Sequence, residues 1–221
     1  IIDTMLNLSI LYWASEEYGD PRFKSVAMKH ADNTMVNHIR PDGSVRHVVK
    51  HNPVTGEIVG EMAGQGYAVG SAWSRGQAWA VYGYTMMFRE TGRQEFLAQA
   101  EAIAKMLLNR LPYDGIPFWD FDDPEIPYTY KDASAGAVMA SAFIELSTLT
   151  KDKNLSKKCL AKAEKQIRAL ASKEYLAPVG ENGNFLLMHS VGNLNSMAEV
   201  DSPLIYADYY FLEALYRYIN L

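Results

Sequence analysis

One periodicity governs this chain. Apolar residues recur every three to four positions through seven segments of the 221-residue sequence, the signature of amphipathic helices rather than strands. The first segment runs from Thr4 to Tyr18 and stops at Gly19-Asp20, after which Pro21 opens a second that reaches His38. A third, Ser71 to Glu90, and a fourth, Arg93 to Leu111, are separated only by Thr91-Gly92, so they must double back on each other. The fifth spans Asp132 to Thr150 and the sixth Asn154 to Ser172, with Lys151-Asp152-Lys153 between them. The last covers Pro203 to Asn220. The expected fold is all-α and built from helical hairpins.

Three long irregular stretches interrupt the helices. Arg40 to Glu61 carries Asp42-Gly43 and Asn52-Pro-Val-Thr-Gly56 turn chemistry around Val45 to Val49, which predicts a short β-hairpin. Pro112 to Lys131 is rich in Pro, Asp and aromatics, and Glu174 to Asp201 in Gly and Asn. Alternating hairpins and long loops place the loops on one rim, where binding residues reside.

Charge and composition exclude several classes. The net charge is −5, and Lys and Arg form no basic stripe, so nucleic acid is not an expected partner. No apolar run approaches the roughly 20 residues that cross a bilayer, so no membrane span is expected. The lone Cys159 rules out an intrachain disulfide. His30, His38, His51 and His189 read as helix-face, cap or loop residues; with no histidine pair at ligand spacing, neither metal nor cofactor is expected.

Chemistry concentrates in Ser71-Ala-Trp-Ser-Arg-Gly-Gln-Ala-Trp-Ala-Val-Tyr-Gly-Tyr84. Flat indoles at Trp73 and Trp79 can stack on a pyranose ring, and the Arg75 guanidinium can pair a carboxylate, a combination that suits an acidic sugar. Helical spacing also allows Trp73, Trp79 and Tyr82 to be core. The small neighbours Ser74, Gly76, Ala78, Ala80 and Gly83 predict bare indoles instead. Each glycine inside a helix costs about 1 kcal/mol relative to alanine, so Gly76 and Gly83 point to close approach by another group.

Several ordered stretches resemble one family from end to end: Ile1 to Ser15, Gln65-Gly-Tyr67, Ser71 to Tyr84, Trp119-Asp-Phe121, Lys131 to Ala135 and Tyr206 to Leu215. Together they are similar to the unsaturated glucuronyl hydrolases, glycoside hydrolase family 88. The resemblance implies an (α/α)6 toroid. Such a ring with its loops needs on the order of 350 residues, so this chain is expected to form a partial toroid corresponding to the C-terminal part of the catalytic domain. The start at Ile1, with no initiator Met and no cap before the first helix, fits a cut end. A partial ring should leave apolar helix faces open, to be covered by a second copy or by an N-terminal half.

The resemblance further implies hydration of a C4=C5 double bond in an unsaturated uronic acid at the non-reducing end of a glycosaminoglycan fragment. Asp3 stands where the family has its general acid/base, a group that must spend part of its time protonated and so calls for an apolar surround. Asp3 taken alone reads as an N-cap of the Thr4 helix. His47 and Gln65 match substrate-contacting residues, Trp73 and Trp79 would shape the sugar subsite, and Arg75 would pair the substrate carboxylate. Trp119, Asp120 and Asp132 read as a rim residue, a loop carboxylate and a helix cap, and Asp208 as a buried partner for a basic group. A second aspartate that the family places on an earlier helix has no counterpart here. Unsaturated rhamnogalacturonyl hydrolysis and non-catalytic carbohydrate binding are the alternatives.

Overall fold

Each helix ends where its backbone chemistry ends it, in a computed structural model that describes residues 1–221. Helix α1 (Leu8–Tyr18) stops at Gly19 in the left-handed region, φ 65°. Pro21 then takes the first position of α2 (Pro21–His38), where its missing N–H costs nothing, and the Asp20 carboxylate accepts from Arg22 N. Helix α3 (Ser74–Thr91) turns into α4 (Gln94–Arg110) through Gly92, φ 67°. Asp132 caps α5 (Ala133–Leu149), and Asp152 caps α6 (Lys153–Leu170) by accepting from Asn154 N and Leu155 N. Helix α7 (Ile205–Ile219) closes the chain.

Two boundaries differ from the sequence reading for identifiable reasons. Ile2–Asn7 forms a 3-10 helix rather than the first turns of α1. Side chains three apart eclipse in that geometry, so Ile2 and Met5 point the same way, and both are fully buried. Helix α3 starts at Ser74 instead of Ser71. Ser71 Oγ is held by Asp120, and Trp73 is extended, bridging to Asp120 across the adjoining loop.

The predicted hairpin forms from β1 (Val48–His51) and β2 (Ile58–Met62), antiparallel, with Val48 opposite Met62 and Asn52 closing the turn onto Gly56.

Helices α1, α3, α5 and α7 stand side by side as an inner row, with the 3-10 segment bridging α1 to α3. Helices α2, α4 and α6 back α1, α3 and α5 in turn. This is an arc of an α/α toroid. Helix α5 is apolar or small along nearly its whole length, Glu145 near its C-terminal end excepted, because α3, α6 and α7 all press on it, and nearly all of α3 is buried for the same reason. The three long loops interlock at one rim. A small cluster of Trp73, Trp119 and Val191 lies beneath them, apart from the main core.

Candidate active site

The rim is organised around the 3-10 segment. A Cβ at Gly83 would lie 2.5 Å from Met5 Cβ, and one at Gly76 would lie 3.3 Å from an Ile2 methyl and 2.8 Å from the Trp73 ring. The close approach that these glycines permit is therefore made by the chain's own first residues. Ile2 N donates to His47 O at 3.0 Å, which lays the segment alongside the His47 strand. Asp3, between buried Ile2 and Met5, is partly exposed, with its Oδ2 turned toward His47. No side-chain cap bond forms at this N-terminus, so Asp3 is not an N-cap.

Asp3 Oδ2 sits 3.2 Å from His47 Nε2, with His47 buried and Asp3 about one-quarter exposed. The approach is not aligned for a hydrogen bond, and Oδ2 accepts none within the chain. Such loose contacts between acid/base groups commonly tighten only when substrate is bound. The His47 ring stacks on Trp73 with centroids 4.2 Å apart and planes 27° apart. Gln77, fully buried on α3, accepts from Val45 N at 2.8 Å and donates to Val45 O at 3.0 Å, pinning the backbone two residues before His47.

Gln65 joins the same group. Its backbone N–H donates to His47 Nδ1 at 2.9 Å, and its Nε2 donates to Gly192 O at 2.6 Å. Asn195 Nδ2 donates to Gly64 O and Gly66 O, tying the 193–198 loop to the Gln65 loop. Asp3, His47, Gln65 and Trp73 are thus brought together at one end of α3.

Arg75 and Trp79 require correction. The Arg75 guanidinium is buried over Trp73. Its Nη1 donates to Asp132 Oδ2 at 2.8 Å and to Val191 O, and its Nη2 donates to Gly192 O at 2.6 Å. A group so committed braces the loops and is not presented to a ligand. Trp79 is also buried, against Tyr206 and Tyr210 of α7, because the small residues beside it let neighbouring helices close in rather than leave the indole bare. Trp73 is buried as well, covered by Trp119 and Val191 of the loops and by the His47 ring.

Other expectations also shift. Trp119 is buried and donates from Nε1 to Asp123, so it is not on the rim surface. Asp120 is fully buried and organises the loop: it accepts from Tyr67 N, Ser71 Oγ and Asp122 N. Burial pushes its carboxyl above the usual range, and those three donors only partly offset it. Asp132 caps α5 as expected, but it also pairs Arg75. Asp208 accepts from Leu186 N and Leu187 N, so its partners are backbone groups and not a basic side chain. Sequence reading passed over Gln77 and Asn195, although a glutamine within an otherwise apolar or small helix face marks a buried polar group in need of partners.

Beside this group, and not over it, lies an open cleft of about 820 Å³ walled by Tyr67, Tyr128, Tyr130, Leu194 and Asn195. No three His, Cys, Asp or Glu side chains gather in a way that would hold a metal ion.

No family model matches the chain. Individual proteins do. It is 44% identical over its full length to an unsaturated glucuronyl hydrolase of Formosa agariphila, of which it covers 55%. The crystal structure of an unsaturated glucuronyl hydrolase specific for heparin superposes with a TM-score of 0.96 at 46% identity, over all of this chain and 59% of that one. A mutant enzyme of the same name from Streptococcus agalactiae, complexed with dGlcA-GalNAc6S, matches with a TM-score of 0.86 at 31% identity, over 99% of this chain and 58% of that one. The chain thus spans little more than half the length of the relatives it matches.

Proposed function

From the homology of this chain, along its whole length, to unsaturated glucuronyl hydrolases, we propose that it carries the acid/base side of a site that hydrates the C4=C5 bond of an unsaturated uronic acid at the non-reducing end of a glycosaminoglycan fragment. The observation that supports this most is the placement of Asp3 against His47 on a segment locked to α3. In the reaction, Asp3 delivers a proton to C4. Water adds its hydroxyl at C5 and gives its remaining proton back to the Asp3 carboxylate; the resulting hemiketal opens, breaks the glycosidic link and releases the neighbouring sugar. His47 and Gln65 orient the reacting groups. Arg75 acts indirectly, holding the Val191 and Gly192 carbonyls, the second of which Gln65 also engages. The substrate would be an unsaturated oligosaccharide, with the tyrosine-walled cleft open beside the reacting ring.

The resemblance pairs the acid/base with a second aspartate, and we assign that group to a helical partner of different sequence, an N-terminal half, docked on an open flank of the arc. The test is the ultraviolet absorbance of an unsaturated chondroitin disaccharide over time. Loss of the double-bond signal with the wild-type chain, abolished by Asp3→Asn, is the expected result. A well-folded wild-type chain that leaves the absorbance unchanged with and without its partner overturns the reading and favours carbohydrate binding without turnover.

A further inference from the structure

His47 Nδ1 has two neighbours that make opposite demands. The Gln65 backbone N–H lies 2.9 Å away and can only donate, so it requires a lone pair on Nδ1. The Ala63 carbonyl lies 3.2 Å away and can only accept, so it requires a proton there. One imidazole nitrogen cannot serve both. The Gln65 contact is the shorter, and that amide has no other acceptor among the hydrogen bonds of the structure.

We propose that the Gly64-Gln65 peptide is a positioning element that fixes neutral His47 as its Nε2–H tautomer, so that the edge facing Asp3 is always a donor. The hydrogen bond at one ring nitrogen dictates which nitrogen carries the proton. Gly64 makes the contact sterically feasible. It adopts φ +60°, and a Cβ there would fall within 2.7 Å of His47 Cε1 and closer still to Nδ1. The opposing restraint is the Trp73 indole stacked on the ring. The imidazole is thus held between a backbone hydrogen bond on one edge and Asp3 on the other, with an aromatic face against it.

The chemical consequence concerns where the Asp3 proton can go. In the Nδ1–H tautomer, Nε2 would offer a lone pair 3.2 Å from Asp3 Oδ2 and would draw the acid proton toward the histidine. In the Nε2–H tautomer that route is closed. Protonated Asp3 keeps its proton for the substrate, and the carboxylate left after transfer faces an N–H donor. This role rests on the proposed hydration reaction, whereas the tautomer itself is a property of the chain alone.

The experiment is long-range proton–nitrogen NMR of the full chain, with the histidine nitrogens labelled, at a pH where the imidazoles are neutral. The His47 resonances are assigned by their loss in His47→Gln. The expected spectrum has Nδ1 at the downfield position of a lone-pair nitrogen and Nε2 at the position of a protonated one. A protonated Nδ1, bonded to Ala63, overturns the proposal. Gly64→Ala should shift both resonances toward the averaged positions of a mixed tautomer; an unchanged spectrum from the folded variant also overturns it. If that variant does not fold, the wild-type spectrum still decides. Where turnover is measurable, both variants should lower it, and His47→Gln, whose amide nitrogen replaces Nε2, should lose less than His47→Asn, which replaces only Nδ1. The expected spectrum with no turnover even when the partner is present would leave the tautomer standing and reject the reaction; turnover with a protonated Nδ1 would do the reverse.

Discussion

The buried pair between Arg75 and Asp132 sets the stakes at the scale of single residues. Both side chains are almost wholly withdrawn from water, and both have further hydrogen-bond partners, which is the condition under which a buried ion pair is tolerated. Asp132→Asn keeps an oxygen to cap α5 but turns an amide donor toward a guanidinium that cannot lose its charge. It should destabilise the fold by roughly 3–5 kcal/mol, read as a fall in the denaturation midpoint. A change within experimental error would show that the two backbone carbonyls suffice to hold Arg75. His38 gives a second prediction. Burial, opposed by the Arg46 carbonyl on Nδ1, drives its pKa from 6.5 down to about 4, with the N-terminus, His30 and His51 adding to the fall. The unfolded chain therefore takes up this proton first, so stability that is full above pH 6.5 is lost as pH falls toward 4, by up to about 3 kcal/mol. His38→Asn can keep a donor to Arg46 without titrating, and should flatten that limb of a stability–pH curve; an identical limb would clear His38. At this scale the sequence showed which residue types were present but not which were free. A guanidinium between two tryptophans reads as open to a ligand, and nothing local reveals that a carboxylate 57 positions later claims it.

Among the elements, the 3-10 segment against α3 does most to place the site, and two glycines decide its position. Gly83→Ala should gain about 1 kcal/mol in helix propensity. The added methyl, however, meets Met5 Cβ at 2.5 Å with the Met5 carbonyl close behind, so the segment must move. Overpacking of this kind costs about 1–3 kcal/mol, and the net effect should be destabilising. The shift also carries Asp3 away from His47, so any hydration activity should fall further than stability does. A stabilised variant with unaltered activity would show that the segment is not seated on α3. The seven helices were legible because their period and their caps, such as Gly19, Asp132 and Asp152, are local signals. The 3-10 geometry was not, since it is imposed by a groove in a helix some seventy residues away. The glycines did announce a close approach. The sequence left open what approaches, and the answer is Ile2 and Met5 rather than a sugar.

For the whole molecule, the arc leaves one inner helix with two apolar faces. Ala207, Tyr210, Phe211 and Ala214 of α7 pack inward, while Ile205, Tyr209, Leu212, Tyr216 and Ile219 form an outward stripe, each between 53% and 76% exposed. Their alternating spacing of four and three residues is that of a helix seam made to meet another helix. At the opposite end of the row, α1 exposes Ile10 and Trp13. Uninterrupted apolar stripes of this size mark interaction surfaces on folded proteins. The sequence-level argument that a partial ring must leave such faces open rests on helix count alone, and could not say which helices bear them. Because α7 also packs through Trp79 and Tyr82 onto α3, covering its outer face would steady the wall behind the site. The isolated chain should therefore self-associate, with a light-scattering mass that rises with concentration. The double substitution Leu212→Glu with Tyr216→Glu should return it to monomer. Both side chains already face water, so the folded state should change by less than about 1 kcal/mol. A wild-type chain that stays monomeric across the concentration range would mean that the stripe is tuned to a different helical surface, and the activity test would then need that partner present from the outset.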